Sequence, residues 1–195
     1  MSTNVYTCTL LGMAVLSCQK IEFGLYGIAS HLSHLPEAKK DRRFANLTAE
    51  IFLSSDPEHA QLRKATLGQL TPVFGDRLLL SGSELEEFVH DRNHVMHNFW
   101  RDTRPLRGET AIPDPDAYLR DFIARAEKFT RTIQGLISHM QEAAAGKEGR
   151  FAELQITESD RENRAIYEQF AATQLLDRDP GDSSTLRRKD GDWHQ

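Results

Sequence analysis

Strand signals are nearly missing from this sequence. Alternating β-branched and aromatic runs joined by Asn-Gly or Asp-Gly pairs mark hairpins, and the one such pair, Asp190-Gly191, lies in a polar stretch near the C-terminus. A sheet fold is therefore disfavoured and an all-α chain expected. Cysteine is scarce, with two in 195 residues, Cys8 and Cys18. Ten residues along one helix place them ~15 Å apart, beyond the reach of a disulfide within that helix. No paired-cysteine zinc spacing exists, so two reduced, partly buried thiols in a reducing compartment are expected. Positive charge is also short: 24 Lys and Arg against 29 Asp and Glu leave a net −5. That excludes a broadly basic nucleic-acid binder and leaves a local patch or a transient substrate contact. The apolar run Leu10 to Leu16 has no basic residue before it and is too short to span a bilayer. It continues into an amphipathic pattern and reads as a core helix, so no membrane contact and a cytoplasmic location are expected.

What is present suits one helical domain. The chain is long enough for a sizeable core, with 39% apolar and 27% charged residues. A first helix is expected from Val5 to Leu35, striped by Leu11, Ala14, Val15, Cys18, Leu25, Ala29 and Leu32. A second is expected from Pro36 to Leu53. Asp56 and Pro57 then open a third through Leu62, Ala65, Gln69 and Leu70, which stops near Pro72 or Gly75. Ser83 and Glu86 form a capping box for a helix reaching Arg101. Pro105, Gly108 and Pro113 mark a loop, after which Asp114-Pro115-Asp116 opens the cleanest stripe in the chain. That stripe is Leu119, Phe122, Ile123, Ala126, Phe129, Ile133, Leu136, Ile137 and Met140, ended by Gly146 and Gly149. A last helix carries Ile166, Tyr167 and Phe170 to about Leu176. The expectation is a five- to six-helix bundle over residues 1–176 and a disordered polar tail over 177–195.

The helix from Glu84 to Arg101 holds an anomaly. At ~100° per residue, Leu85, Phe88, Val89, Val95, Met96, Phe99 and Trp100 fall within an arc of roughly 140°, and Arg92 sits near its middle. A guanidinium on the face that enters a core is costly unless it is paired or opens on a cleft. One reading gives it a carboxylate partner such as Glu22; the other gives it an anion in a cleft. His90, Asn93, His94, His97 and Arg101 share a different face. Three histidines there suit either a metal site or ordinary polar surface. No carboxylate or cysteine at ligand spacing completes a metal set, so no metal and no cofactor are expected.

Arg92-Asn93, three further residues and His97 resemble the Arg-x4-6-His motif of the HEPN superfamily. The flanking Phe88-Val89-His90-Asp91 and the early segment Cys18-Gln19-Lys20-Ile21-Glu22-Phe23 resemble that family as well. The resemblance implies an all-α bundle that forms a homodimer, with motifs of two protomers meeting at one cleft. Many members are metal-independent endoribonucleases of toxin–antitoxin, phage-defence and RNA-processing systems, while others are non-catalytic binding modules. It implies RNA as substrate, with an antitoxin or a nucleotidyltransferase as partner. In one group that enzyme modifies a tyrosine two residues after the histidine; here the position is Phe99, which puts such modification in doubt.

The residue types fit the chemistry. Cleavage of RNA by its own 2′-hydroxyl needs a base, an acid and donors for the phosphorus oxygens. Histidine serves the first two near neutral pH, and arginine serves the third. The site residues expected are therefore Arg92, Asn93 and His97, supported by His94 and Glu22. Arg92 and His97 lie about 140° apart on an ideal helix. Either two protomers share the site, or His94 supplies the second proton-transfer group within one chain.

Overall fold

The computed structural model describes residues 5–32, 36–40, 44, 48, 50–51, 54, 83–103 and 112–177. Among these residues every regular element is helical: α1 (Val5–Leu32), α2 (Pro36–Lys40), α3 (Ser83–His97), α4 (Phe99–Thr103), α5 (Pro115–Lys147), a 3-10 turn at Phe151–Glu153 and α6 (Glu158–Asp177). The all-α expectation holds.

α5 is the spine. Asp114 caps it by accepting the Ala117 N–H at 2.9 Å, with Pro115 in the first turn where no donor is needed. Leu119, Phe122, Ala126, Phe129, Ile133 and Leu136 are buried along one side, as their spacing predicts. Gly146 proves to lie inside the last helical turn, and the break belongs to Gly149, whose φ of 69° favours glycine. α6 opens on a reciprocal cap that the sequence reading missed. The Thr157 hydroxyl accepts the Asp160 N–H at 3.2 Å, while the Asp160 carboxylate accepts the Thr157 N–H at 2.9 Å. The Thr157 hydroxyl also donates to that carboxylate at 2.7 Å, and this bond, followed by the one from the Thr157 N–H, holds the Asp160 carboxyl below the ordinary range.

α1 and α5 run parallel. Thr7 donates to Asp116 at 2.6 Å, and further along both helices in the same direction a Cβ added at Gly24 would meet Ile133 Cγ2 at 2.8 Å. α3 and α6 lie antiparallel to α5: Phe88 stacks on Phe122 at 5.1 Å, and Phe129 meets Phe170 edge-on at 6.1 Å. The α5–α6 crossing is close, since a Cβ on Gly135 would fall 2.0 Å from the Asn163 carbonyl oxygen. Backbone cannot rotate away as a side chain can. Gly135→Ala is thus expected to cost at least the ~1–3 kcal/mol of an overpacked core. Urea unfolding of that variant against Gly146→Ala, which meets nothing within 4 Å, checks it; equal midpoints would refute the close crossing.

Three expectations need correction or fall elsewhere. The second helix is not one unbroken span from Pro36 to Leu53. α2 ends at Lys40, and Thr48 Oγ1 accepts the Ile51 N–H at 3.2 Å with residues 50–51 helical. A threonine three residues before its donor is an N-cap, so a new helical start lies inside the expected helix. The helix expected after Pro57, the Ser83 side chain of the expected capping box and the 178–195 tail lie outside the described residues. The run Leu10 to Leu16 is too short to span a bilayer, but α1 as a whole is long and apolar enough by length and composition. Its Leu10, Ala14, Cys18, Ile21 and Leu25 enter the protein core, while Val5, Met13, Leu16 and Phe23 stay exposed.

Candidate functional site

α3 places each expected site residue by its angular position. Leu85, Phe88 and Val95 anchor the buried side of the helix, and this fixes where every other side chain points. Arg92 lies between those anchors and is 8% exposed, so the anomalous arginine does enter the interior. Its Nη2 donates to Glu22 Oε1 of α1 at 2.5 Å and its Nη1 to Asn93 Oδ1 at 3.0 Å. Glu22 is the carboxylate that the structural reading of Arg92 named. Burial costs a guanidinium several kcal/mol unless a close counter-charge offsets it, and Glu22 is in the right place because it sits one turn beyond buried Cys18 on the same helix. Arg92 Nε is buried with no hydrogen-bond partner among the described residues. One donor of the fork is unmet, a cost of about 1–3 kcal/mol.

Cys18 belongs to the same buried neighbourhood. Burial pushes its thiol up to about 11, with Glu22 adding to the rise and Arg92 opposing it. Cys18 is therefore a packed thiol and not a nucleophile at neutral pH. Cys8 is exposed, unlike the partly buried pair expected.

The remaining motif residues face elsewhere. Asn93 is exposed, although its carbonyl oxygen reaches back to Arg92. His97 is exposed on the outer face. His94 turns towards α4 and α5: its Nε2 is 3.0 Å from Asp102 Oδ2, without a hydrogen bond aligned along the contact. Its ring centroid is 6.0 Å from that of Tyr118. Burial, then the charge of Asp91, raises the Tyr118 phenol above its ordinary range, and Asp91 is itself paired with Arg125 at 2.7 Å. His94 thus knits three helices together and is poorly placed to meet a substrate.

The structure therefore brings Glu22, Arg92 and Asn93 together, sends His94 into a separate polar seam and leaves His97 at the surface. Within the chain Arg92 and His97 are not brought together. Among the described residues no three His, Cys, Asp or Glu side chains group as a metal site, because His90, His94 and His97 diverge. Asp102 and Tyr118 were the residues missed. Their signal, a position one or two turns beyond His94 or across from it on α5, becomes visible only once α3 and α5 are paired. Trp100, counted among the apolar arc, is instead 59% exposed, for it sits at the edge of that arc.

Compared with known proteins, the chain matches no family model, no curated protein and no solved structure.

Proposed function

We propose that this protein is a metal-independent endoribonuclease of HEPN type, working as a homodimer in the cytoplasm in a toxin or defence role. One observation carries the reading. Arg92 is a buried guanidinium held by Glu22 and by the exposed Asn93, with His97 exposed five residues on, in the order of the motif it resembles. A permanent charge kept inside an apolar helix face is expensive, and an anion-binding role is a reason to keep it.

In this reading a scissile phosphate docks at Asn93 and shares the Nη1 edge of Arg92, so negative charge building on phosphorus meets a positioned donor. His97 removes the 2′-hydroxyl proton, the oxygen attacks phosphorus, and the bond to the 5′-oxygen breaks. His97 of a second protomer returns a proton to that leaving oxygen. The products are a 2′,3′-cyclic phosphate and a 5′-hydroxyl. A two-fold dimer supplies both histidines, and the separate faces of Arg92 and His97 on one helix favour sharing between chains. An antitoxin or a nucleotidyltransferase is the kind of partner such a nuclease would need.

The test is incubation of the purified protein with mixed RNA in EDTA. Cleavage leaving cyclic phosphate ends is expected, and the absence of any cleavage overturns the proposal. The close pairing of Arg92 with Glu22 favours a second reading, a non-catalytic helical module in which Arg92 is structural. Binding of a protein or nucleotide partner without RNA cleavage would support that one.

A further inference from the structure

We propose that the outer face of α1 is a docking surface for a second copy of this chain, packed antiparallel so that Leu16 of each copy sits against Gly12 of the other. The contact does not rest on the ribonuclease reading. α1 carries neither Arg92 nor His97, and Glu22, which holds Arg92, projects about 100° away from this face.

α1 has two apolar faces where a surface helix has one. Leu10, Ala14, Cys18, Ile21 and Leu25 enter the core. At ~100° per residue, Val5, Gly12, Leu16 and Phe23 fall within an arc of about 40° on the opposite side. There Val5, Leu16 and Phe23 are 79%, 58% and 65% exposed. Lys20 is the one charged residue among the exposed positions from Val5 to Phe23. The outer side of α5 obeys the usual rule, with Arg120, Asp121, Glu127 and Lys128 exposed.

Gly12 marks where the second copy comes closest. A glycine inside a helix is destabilising relative to alanine. At Gly24 and Gly135 the reason for it is a neighbouring helix that leaves no room for a Cβ. A Cβ at Gly12 would meet nothing within 4 Å, so no described residue fills that notch.

The face is complementary to itself. Turning one α1 end for end about the level of Ala14 brings Leu16 opposite Gly12 and Val5 opposite Phe23, and a two-fold axis makes each pairing twice. A branched side chain then meets a notch, a large ring meets a small side chain, and Thr9 comes level with Gln19 and Lys20. The strip is ~27 Å long. Its exposed apolar side chains each hold on the order of 100 Å² in water, so pairing two strips removes about 1,000 Å², the size at which a specific contact begins. A bilayer is the poorer occupant. An interfacial helix has a basic face, whereas α1 turns its other face into the core and holds Lys20 as its one Lys or Arg.

Sedimentation equilibrium of the full chain is expected to show a reversible dimer. Leu16→Glu is expected to weaken it by roughly 100-fold with helical circular dichroism unchanged, because Leu16 lies in water within one chain. Gly12→Leu fills the notch and is expected to weaken association by roughly 10-fold, while raising the melting temperature of the dissociated chain. Gln19→Cys reads the direction of packing. In the antiparallel pair its thiol lies on the same flank as the exposed Cys8 of the second copy, within ~1.5 Å along the axis. Within one chain the two positions are ~16 Å apart, beyond a disulfide. Mild oxidation is expected to link Cys8 of one copy to the introduced thiol of the other. A monomer, a dimer untouched by Leu16→Glu, or links only between like positions overturns the proposal. The second of these outcomes places the contact on another face and leaves the homodimer of the ribonuclease reading standing. A monomer that binds phosphatidylcholine vesicles puts a bilayer in place of the second copy and overturns the proposal as well.

Discussion

Glu22→Ala is expected to destabilise the fold by about 3 kcal/mol or more, because it leaves a buried guanidinium without its counter-charge. Arg92 is one-tenth exposed at the side chain and Glu22 about one-fifth (10% and 22%), so solvent offers little replacement. With Arg92 Nε already unpaired, the loss would leave only the bond to Asn93. In a chain of this size that corresponds to a fall in melting temperature of roughly 6–12 °C, readable by thermal denaturation. The informative companion is the double variant Glu22→Leu with Arg92→Met. Replacing both members of a buried pair by apolar residues of similar size is often neutral or stabilising, so the double variant is expected to recover most of the loss. Its activity separates the two functional readings. A stable double variant that still cleaves RNA would reduce Arg92 to a structural residue. A stable variant that no longer cleaves would tie the charge to chemistry.

His97→Ala is expected to behave in the opposite way. The residue is exposed, so stability should change by no more than about 0.5 kcal/mol, while RNA cleavage should fall by ~10²–10⁴, the usual contribution of a positioned proton-transfer group. His94→Ala is the contrast. It removes the side chain that faces Asp102 and Tyr118, so it should lower the melting temperature and leave the chemical step largely intact. Single-turnover cleavage and thermal unfolding of both variants check the pair. Loss of cleavage in His94→Ala with full activity in His97→Ala would reverse the assignment and place the site on the α4–α5 side of α3.

Much of the architecture was legible because helix-forming patterns are local. The Leu119 to Met140 stripe, the Asp114 cap and the anomalous place of Arg92 depend on a period of ~3.6 residues and on neighbours within a few positions. Breaks set by single hydrogen bonds were less legible. Thr48 restarts a helix and Thr157 opens one through side-chain bonds that a hydrophobic pattern does not register. Trp100 was misplaced for a related reason: a residue at the edge of an apolar arc goes inward only if a neighbouring helix reaches that far.

What the amino-acid order determines by itself is an all-helical chain, a charged residue on the inward face of α3, and a histidine five positions later on another face. Each follows from helix geometry alone. Only the tertiary structure decides that Arg92 meets Glu22, seventy residues away in the chain, that His94 is spent on Asp102 and Tyr118, and that α1 lies parallel to α5. Those outcomes depend on which helices become neighbours, and that choice is made by packing complementarity across the whole core: Gly24 admits Ile133, Gly135 admits the α6 backbone, and Phe88 finds Phe122. No short window of sequence contains both halves of such a contact.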